Sequence, residues 1–199
     1  EVESRNLFII FAAAMDKNRN IQVMGIVNLT DDSYYSGSRC SDVHAAIERI
    51  EALVSEGADI IDIGACSTRP GSLPVGADEE WNRLEPVLKA VKERFPDISI
   101  SIDTYWASVV EKAYELIGPF IVNDISAGED DPQMLPAVGR LGLQYIAMHK
   151  IGTPDIMQEH TLYNNLLEDI LEYFKIFSKK AETFGIYNWI LDPGFGFSK

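Results

Sequence analysis

The chain has 199 residues, of which 46% are hydrophobic and 24% are charged, so it is long enough for one domain with a substantial core and too apolar to be disordered. Its formal net charge of −14 excludes general nucleic-acid binding, because such binding depends on a basic surface. A small phosphate-bearing ligand is compatible with this charge, since a few local donors can hold it.

Residues 1–20 are interpreted as an N-terminal extension that precedes the domain. Their apolar run at 7–15 is too short to span a bilayer, and the acids Glu1 and Glu3 do not suit the positively charged start of a secretory signal. The two cysteines, Cys40 and Cys66, lack the spacing of zinc ligands and are predicted to be reduced thiols. These features together predict a cytoplasmic protein without a membrane segment.

Six short runs rich in β-branched residues follow the extension, and they predict buried strands. The runs are 21–28, 58–65, 98–104, 119–125, 143–149 and 188–194. The intervals between them have helical spacing of apolar residues. In the first interval Ser41 is the predicted N-cap and Gly57 marks the predicted end of the helix. The second interval has an apolar face formed by Trp81, Leu84, Leu88 and Val91.

Alternating strands and helices of this kind predict a parallel sheet covered by helices. Right-handed crossovers then leave two architectures, a doubly wound sheet and a (β/α)8 barrel. In both architectures the carboxyl ends of the strands carry the chemistry. The residues that leave each strand are therefore the candidates for a functional site.

Polar side chains end most of the predicted strands: Asn28 the first, Asp103 the third, Asn123 the fourth and Asp192 the sixth. A helix cap or a turn would explain any one of them, since Asp and Asn are common in both. Several acids and amides at one mouth favour a ligand instead, because burying them without a partner is costly. Their oxygens suit the N–H and amino groups of a flat heterocycle.

The loops between strands and helices add groups of a different kind. Residues 66–72 supply hydroxyl groups, backbone N–H groups and Arg69, which suit an anionic group. Asn28 and Asp32 offer oxygen ligands for Mg²⁺. The aromatic faces available for stacking are those of Tyr34, Phe195 and Phe197.

Six segments, in this order and at this spacing, resemble the motifs of dihydropteroate synthases, which are enzymes of folate biosynthesis. They are VMGIVNLTDDSYYSG, EGADIIDIGACSTRPG, SIDT, IVNDIS, MHKIGTP and ILDPGFGF, and the resemblance extends over residues 21–199. It implies a pterin-binding (β/α)8 barrel domain, of which these residues cover about six of the eight strand–helix units. It also implies a homodimer, a requirement for Mg²⁺ and competition by sulfonamides.

The reaction that the resemblance implies joins 6-hydroxymethyl-7,8-dihydropterin diphosphate to p-aminobenzoate and gives 7,8-dihydropteroate and pyrophosphate. The residues at the family's pterin-binding positions are Asp103, Asn123, Ile125, Met148, Asp192 and Phe197. Those at positions near p-aminobenzoate and the diphosphate are Thr68, Arg69, Pro70 and Tyr34. Asn28 matches the residue close to Mg²⁺, and the implied catalytic residues are Asp103, Asn28 and Arg69.

The sequence also departs from the family pattern. The family's lysine after the seventh strand and its arginine–histidine pair after the eighth have no counterpart in these 199 residues, so we expect a piece of a longer enzyme. Two alternatives are the pterin-binding domain of a corrinoid-dependent methyltransferase and a non-catalytic pterin-binding remnant. The loops at 28–33 and 67–71 favour the synthase, because they suit a diphosphate and an arylamine.

Overall fold

The computed structural model describes residues 21–29, 39–65, 76–152 and 163–199, and within these ranges it describes all side chains except those of 39–42. The strands are β1 (Met24–Asn28), β2 (Ile60–Gly64), β3 (Ser99–Asp103), β4 (Ile121–Asp124), β5 (Gln144–Met148) and β6 (Trp189–Asp192). The helices are α1 (Arg39–Ser55), α2 (Ala77–Arg94), α3 (Ala107–Ile117), α4 (Met134–Leu141) and α5 (Leu166–Thr183). All six predicted strands are confirmed, each shorter than predicted at one or both ends.

The six strands form one parallel sheet whose spatial order follows the chain, from β1 to β6. A doubly wound sheet would reverse its strand order at the point where the ligand binds, so this architecture is excluded. Consecutive parallel strands with intervening helices are instead the repeating unit of the (β/α)8 barrel. The sheet therefore represents six successive strands of such a barrel, with β1 and β6 at its two edges.

The main core lies between the outer face of the sheet and the helices. Ile61 and Ile63 on β2 and Val122 on β4 belong to it and are fully buried. Leu84 and Leu88 cover this face from α2, and full burial of such a side chain contributes roughly 1.5–3 kcal/mol. The predicted apolar face of α2 is thereby confirmed, with Trp81 partly buried at its margin.

The inner face of the sheet is polar toward the carboxyl ends of the strands. Because side chains alternate between the two faces of a strand, strand register decides which inner residues are neighbours. One row across the sheet contains Asn28, Gly64, Asp103 and Asn123. The next row, one step deeper, contains Ile26, Asp62, Ser101 and Ile121. The predicted site residues of three strands thus lie in a single row.

The two ends of α1 differ in how well the sequence predicts them. The helix begins at Arg39, so Ser41 lies inside it, and the prediction of Ser41 as N-cap is wrong. A serine costs little in the first turn of a helix, which allows the start to shift by two residues. The predicted end is confirmed, since Gly57 follows the helix with φ of 100°, a conformation that favours glycine. In the described parts of the chain, no helix is both long and apolar enough to cross a membrane.

Candidate active site at the carboxyl ends of the strands

Gly64 is the residue that lets oxygens from β1 and β3 approach the same space. A Cβ atom built on Gly64 would lie 3.2 Å from Asp103 Oδ2 and 3.4 Å from Asn28 Oδ1. Both contacts are tight, so any side chain at this position would compete with the two polar groups for room. The absence of a side chain leaves a shallow seat on β2, with an amide oxygen on one side and a carboxylate on the other.

Asp103 carries the most perturbed carboxyl group in this row. Burial raises its pKa well above the ordinary value of 3.8, and the negative charges of Asp62, Glu80 and Asp124 raise it further. The carboxyl group therefore holds its proton more strongly than a surface aspartate does. A strongly perturbed acid at the mouth of a barrel is typical of a functional group, because a ligand that brings positive charge would release the proton.

Asn123 is anchored by an acid that the sequence analysis did not single out. Its Nδ2 donates a hydrogen bond to Asp62 Oδ2 over 3.2 Å. Asp62 is only 4% exposed, and burial raises its pKa, an effect that the Ser101 and Asn123 side chains partly offset. The available signal was a single aspartate inside the apolar run of β2, which alternation assigns to the inner face of the sheet.

Asp192, at the end of β6, is held in place by its own loop. The N–H of Gly194 donates to Asp192 Oδ1 over 2.8 Å, which leaves the second carboxylate oxygen available. Gly194 has φ of 66°, and a Cβ there would lie 2.4 Å from the carbonyl oxygen of His149. Only glycine allows this loop to pack so closely against the end of β5.

Lys199 also stabilises the loop that follows β6. Its Nζ donates to the carbonyl oxygens of Phe197 (2.6 Å), Gly194 (3.2 Å) and His149 (3.3 Å). Burial lowers the pKa of Lys199, and the nearby charge of Asp192 partly offsets this. The contacts tie the ends of β5 and β6 together. This role could not be predicted from the sequence, because it depends on carbonyl groups that come together only in the folded chain.

The loop after β4 is organised around Asp124. Its carboxylate accepts from the Ser126 N–H (2.7 Å), the Ser126 hydroxyl (2.7 Å), the Gly128 N–H (2.9 Å) and the Tyr145 hydroxyl. Burial raises the pKa of Asp124, and these hydrogen bonds oppose the rise. The network fixes the loop that carries the predicted wall residue Ile125, which is itself buried.

The other predicted wall residues lie at the ends of the last two strands. Met148 is buried at the end of β5, in register with Asp192 on β6, and Phe197 is half-buried in the β6 loop. His149, the next residue after Met148, packs its ring edge-on against Tyr173 with centroids 4.8 Å apart. Burial lowers the pKa of His149, and the charge of Lys199 adds to this, so the ring is neutral and serves packing.

Glu80 is a second acid that the sequence analysis missed. It lies in the first turn of α2, fully buried, and neither of its carboxylate oxygens has a hydrogen-bond partner among the described residues. Burial raises the pKa of Glu80 to about 7, and the adjacent Thr104 side chain partly opposes this rise. In the sequence it is one of three consecutive acids, 78–80, and nothing there distinguishes it from its exposed neighbours.

The predicted site residues thus fall into two groups. The structure places Asn28, Asp103 and Asn123 in one row of the sheet, and Met148 and Asp192 side by side at its other end. Ile125 and Phe197 lie in the loops beside them. The predictions for Tyr34, Thr68, Arg69 and Pro70 lie outside the described residues.

A parallel barrel sheet with acids and amides along its carboxyl edge defines a protein that binds a small polar ligand there. Comparison with known proteins identifies the family. The sequence model of the family described as pterin binding enzyme matches residues 24–199. The chain belongs to this family.

Individual relatives agree with this assignment. The mitochondrial folate synthesis bifunctional protein of Pisum sativum is 43% identical over 192 residues, which cover 93% of this chain and 37% of that protein. The dihydropteroate synthase of Clostridium beijerinckii is 40% identical over 179 residues, which cover 89% of this chain and 63% of that protein. The crystal structure of Yersinia pestis dihydropteroate synthase with a sulfonamide drug superposes with a TM-score of 0.81 at 38% identity, covering 89% of this chain and 64% of that one. The chain thus spans between about one third and two thirds of the length of these relatives.

Proposed function

We propose that the protein is a dihydropteroate synthase, which joins p-aminobenzoate to 6-hydroxymethyl-7,8-dihydropterin diphosphate and releases pyrophosphate. The observation that carries the proposal is the row of Asn28, Asp103 and Asn123 at the carboxyl edge of the sheet in a pterin binding enzyme. Similar proteins of known structure support the choice of ligands. The dihydropteroate synthase of Xanthomonas albilineans was solved with 4-aminobenzoic acid, and that of Burkholderia cenocepacia with 7,8-dihydropteroate.

In this proposal the pterin ring lies against the inner face of the sheet. Asp103, Asn123 and the free oxygen of Asp192 accept hydrogen bonds from its N–H and amino groups. Ile125 and Met148 form the apolar wall, and Phe197 closes the pocket beside them. A hydrogen bond to a charged acceptor contributes roughly 1.5–3 kcal/mol and one to a neutral acceptor about 0.5–1.5 kcal/mol, so the two carboxylates can dominate ring recognition and the Asn123 amide adds to it.

Asp103 also has a role in the chemical step. The bond between the pterin methylene carbon and the diphosphate oxygen breaks first, and the diphosphate leaves with the electron pair. The developing positive charge lowers the pKa of Asp103 and favours its carboxylate, so the stabilisation grows toward the transition state. The arylamine nitrogen then forms the new C–N bond with its lone pair and loses a proton to solvent.

The diphosphate and p-aminobenzoate are assigned to the loop residues. Arg69 is proposed to hold the diphosphate, because a guanidinium binds phosphate oxygens through two hydrogen bonds. Thr68, Pro70 and Tyr34 are proposed to contact p-aminobenzoate and the leaving group. These four assignments rest on the family motifs at residues 28–37 and 66–71.

Mg²⁺ is the proposed cofactor, and the described donors fit it as a partial site. The seat over Gly64 has Asn28 Oδ1 on one side and Asp103 Oδ2 on the other, and Mg²⁺ prefers oxygen ligands. The described residues contain no group of three or more His, Cys, Asp or Glu that could hold a metal alone. A magnesium site of one or two protein ligands completed by substrate phosphate is common, and the ion would neutralise the leaving diphosphate.

The test is turnover of dihydropterin diphosphate with p-aminobenzoate by the whole protein. Asp103→Asn should lower turnover or pterin binding at least about tenfold, because an amide cannot ionise and become a charged acceptor when the pterin brings positive charge to the site. The control Asp97→Asn removes an exposed acid just before the start of the same strand and should change neither. Unchanged kinetics of Asp103→Asn would remove Asp103 from the site.

Measurements of pterin binding and of methyl transfer, made beside the turnover assay, separate the synthase from the two alternative functions. Pterin binding without pyrophosphate release would indicate a non-catalytic binding protein, and methyl transfer from a folate to a corrinoid would indicate a methyltransferase. The protein is further proposed to be a cytoplasmic homodimer. Sedimentation and cell fractionation test these two points, and recovery in mitochondria would match the name of the Pisum sativum relative instead.

A further inference from the structure

Asp62 is an acid in a position where an apolar residue would be expected. It occupies the middle of β2, between Ile61 and Ile63, and its side chain lies on the inner face of the sheet one row below Gly64. It is 4% exposed, and among the described residues no lysine or arginine forms an ion pair with it. Burying a carboxylate in this way costs stability, so its presence needs an explanation in terms of what it contacts.

The contact that Asp62 makes is with Asn123. Asp62 Oδ2 accepts a hydrogen bond from Asn123 Nδ2 over 3.2 Å, across 61 residues of sequence and across β3. The intervening row member on β3 is Ser101, whose side chain lies close enough to the Asp62 carboxylate to lower its pKa, although its hydroxyl is not in hydrogen-bond geometry with any described residue. The second carboxylate oxygen of Asp62, Oδ1, also lacks a hydrogen-bond partner among the described residues. Asn123 is therefore the described side chain whose hydrogen bond to Asp62 has well-formed geometry.

An asparagine amide can distinguish the donors and acceptors of a ligand only if a contact of this kind fixes its orientation. Rotation of the amide by half a turn exchanges its carbonyl oxygen for its NH₂ group, and the torsion itself expresses little preference. An ionised carboxylate can only accept hydrogen bonds, so it selects the orientation in which NH₂ faces it. The carbonyl oxygen and the second N–H of Asn123 then remain available to the ligand.

We propose that Asp62 is the positioning residue that fixes the orientation of the Asn123 amide, and so fixes the order of donor and acceptor that the site presents to its ligand. This inference rests on the pterin-binding function proposed above. A heterocycle that offers an N–H and a ring nitrogen in the matching order finds two hydrogen bonds at Asn123. A heterocycle with the reverse order places donor against donor and acceptor against acceptor.

The donor and acceptor preference of the site can be tested with two small rings, pterin and lumazine. Lumazine has the same bicyclic skeleton but carries a carbonyl oxygen in place of the amino group of pterin, so its N1 bears a hydrogen. Donor and acceptor are thereby exchanged along that edge. The measured quantity is the ratio of the dissociation constants of lumazine and pterin, obtained by titration of the whole protein.

Asp62→Asn is the informative variant, because an amide at position 62 can either donate or accept and so allows both orientations of Asn123. We expect the lumazine-to-pterin ratio to fall at least about tenfold, which corresponds to the loss of one well-formed hydrogen-bond preference. Glu80→Gln is the matched control, since it neutralises another buried acid that influences Asp103 without contacting Asn123. The control should leave the ratio unchanged.

A second background separates positioning from any general effect of the substitution. In Asn123→Ala protein, adding Asp62→Asn should leave the lumazine-to-pterin ratio as it is, because there is no amide left to orient. An equal fall of the ratio in this background would show that Asp62 acts independently of Asn123 and would overturn the proposal. An unchanged ratio in the Asp62→Asn single variant would overturn it as well.

The positioning can also be tested without a ligand, which separates it from the proposed function. In wild-type protein the NMR signals of the Asn123 side-chain amide should show one hydrogen shifted downfield and protected from exchange, and Asp62→Ala should abolish both effects. If wild type bound neither ring, the pterin function would be refuted while this signature still supported the positioning. An Asn123 amide with two freely exchanging hydrogens in wild type would refute the positioning itself.

Discussion

At the scale of single residues, the described part of the site brings several buried acids close together. The charges of Asp62, Glu80 and Asp124 all act on Asp103, in addition to its burial. Each acid makes ionisation of its neighbours harder, and the effect is concentrated on Asp103, whose pKa these charges raise in addition to burial. Ligand atoms that carry N–H groups or positive charge would relieve this repulsion, which links acid clustering to ligand preference.

The ionisation of Glu80 has a measurable effect on stability near neutral pH. Its pKa in the folded protein is about 7, above its ordinary value of 4.5, so the folded state binds the proton more tightly than the unfolded state. Glu80 carries no penalty below about pH 4.5, where it is protonated in both states. Stability then falls as the pH rises from about 4.5 to about 7, and above pH 7 the cost stays at its full value, on the order of 3 kcal/mol at 1.36 kcal/mol per unit. We therefore expect Glu80→Gln to be more stable than wild type at pH 8, with the difference shrinking toward pH 5, in denaturant unfolding at several pH values.

The control for this measurement is Glu79→Gln. Glu79 is exposed and forms a surface ion pair with Arg83 over 3.1 Å, so its loss should cost at most about 1 kcal/mol without a comparable pH slope. A stability difference for Glu80→Gln that stayed constant from pH 5 to pH 8 would contradict the assigned pKa. A loss of stability at pH 8 would indicate that a cation pairs with Glu80.

At the scale of elements, the loop after β4 shows how one side chain organises a wall of the site. Asp124 belongs to the strand, while its hydrogen-bond donors come from the loop and from β5. Tyr145 reaches it from β5 and stacks on Phe177 of α5, with ring centroids 5.8 Å apart. The position of Ile125 in the pterin wall thus depends on packing between the sheet and α5.

Removing one donor tests this dependence. Tyr145→Phe keeps the ring against Phe177 but deletes the hydroxyl that donates to Asp124, so we expect a loss of about 1–3 kcal/mol in the free energy of unfolding. The amides of Ser126 and Gly128 should exchange hydrogen faster, because the carboxylate that holds them is less constrained. Tyr187→Phe removes a hydroxyl from an exposed tyrosine and serves as the control. Unchanged exchange at Ser126 and Gly128 would separate the Tyr145 hydroxyl from the loop.

At the scale of the whole molecule, the strands and their parallel arrangement could be predicted because apolar runs and helical spacing are local signals. The acids and amides at the strand ends could be predicted for the same reason, since parallel strands bring their carboxyl ends to one edge. The roles of Asp62 and Glu80 could not. Asp62 meets Asn123 across 61 residues, and Glu80 differs from its acidic neighbours only through the packing of α2.

The edges of the sheet also have consequences at this scale. Ile26 on β1 is 59% exposed and Ile190 on β6 is 44% exposed, although both lie on the inner face that a closed barrel would bury. Exposed edge strands with apolar side chains can pair with other chains. The 199-residue chain produced alone should therefore self-associate, with a particle size that grows with concentration in light scattering.

Charged edge residues should reduce that association. Ile26→Lys combined with Ile190→Lys should shift the chain toward smaller species, because lysines on edge strands oppose strand pairing. Ile176→Lys changes an isoleucine on α5 that is 61% exposed, away from the sheet edges, and should have little effect. Equal effects of the edge pair and Ile176→Lys would point to general surface hydrophobicity instead of the edges.

The absence of a side chain at Gly64 determines which strands contact the ligand. Strands in a sheet are about 4.8 Å apart, so β1 and β3 stand on the order of 10 Å from one another with β2 between them. A ligand seated over Gly64 touches a floor that offers it no side chain, and meets Asn28 on one flank and Asp103 on the other. Selectivity at this edge is therefore divided between two strands that never pair with each other, so a change on one flank can alter what the protein accepts while the other flank stays as it was.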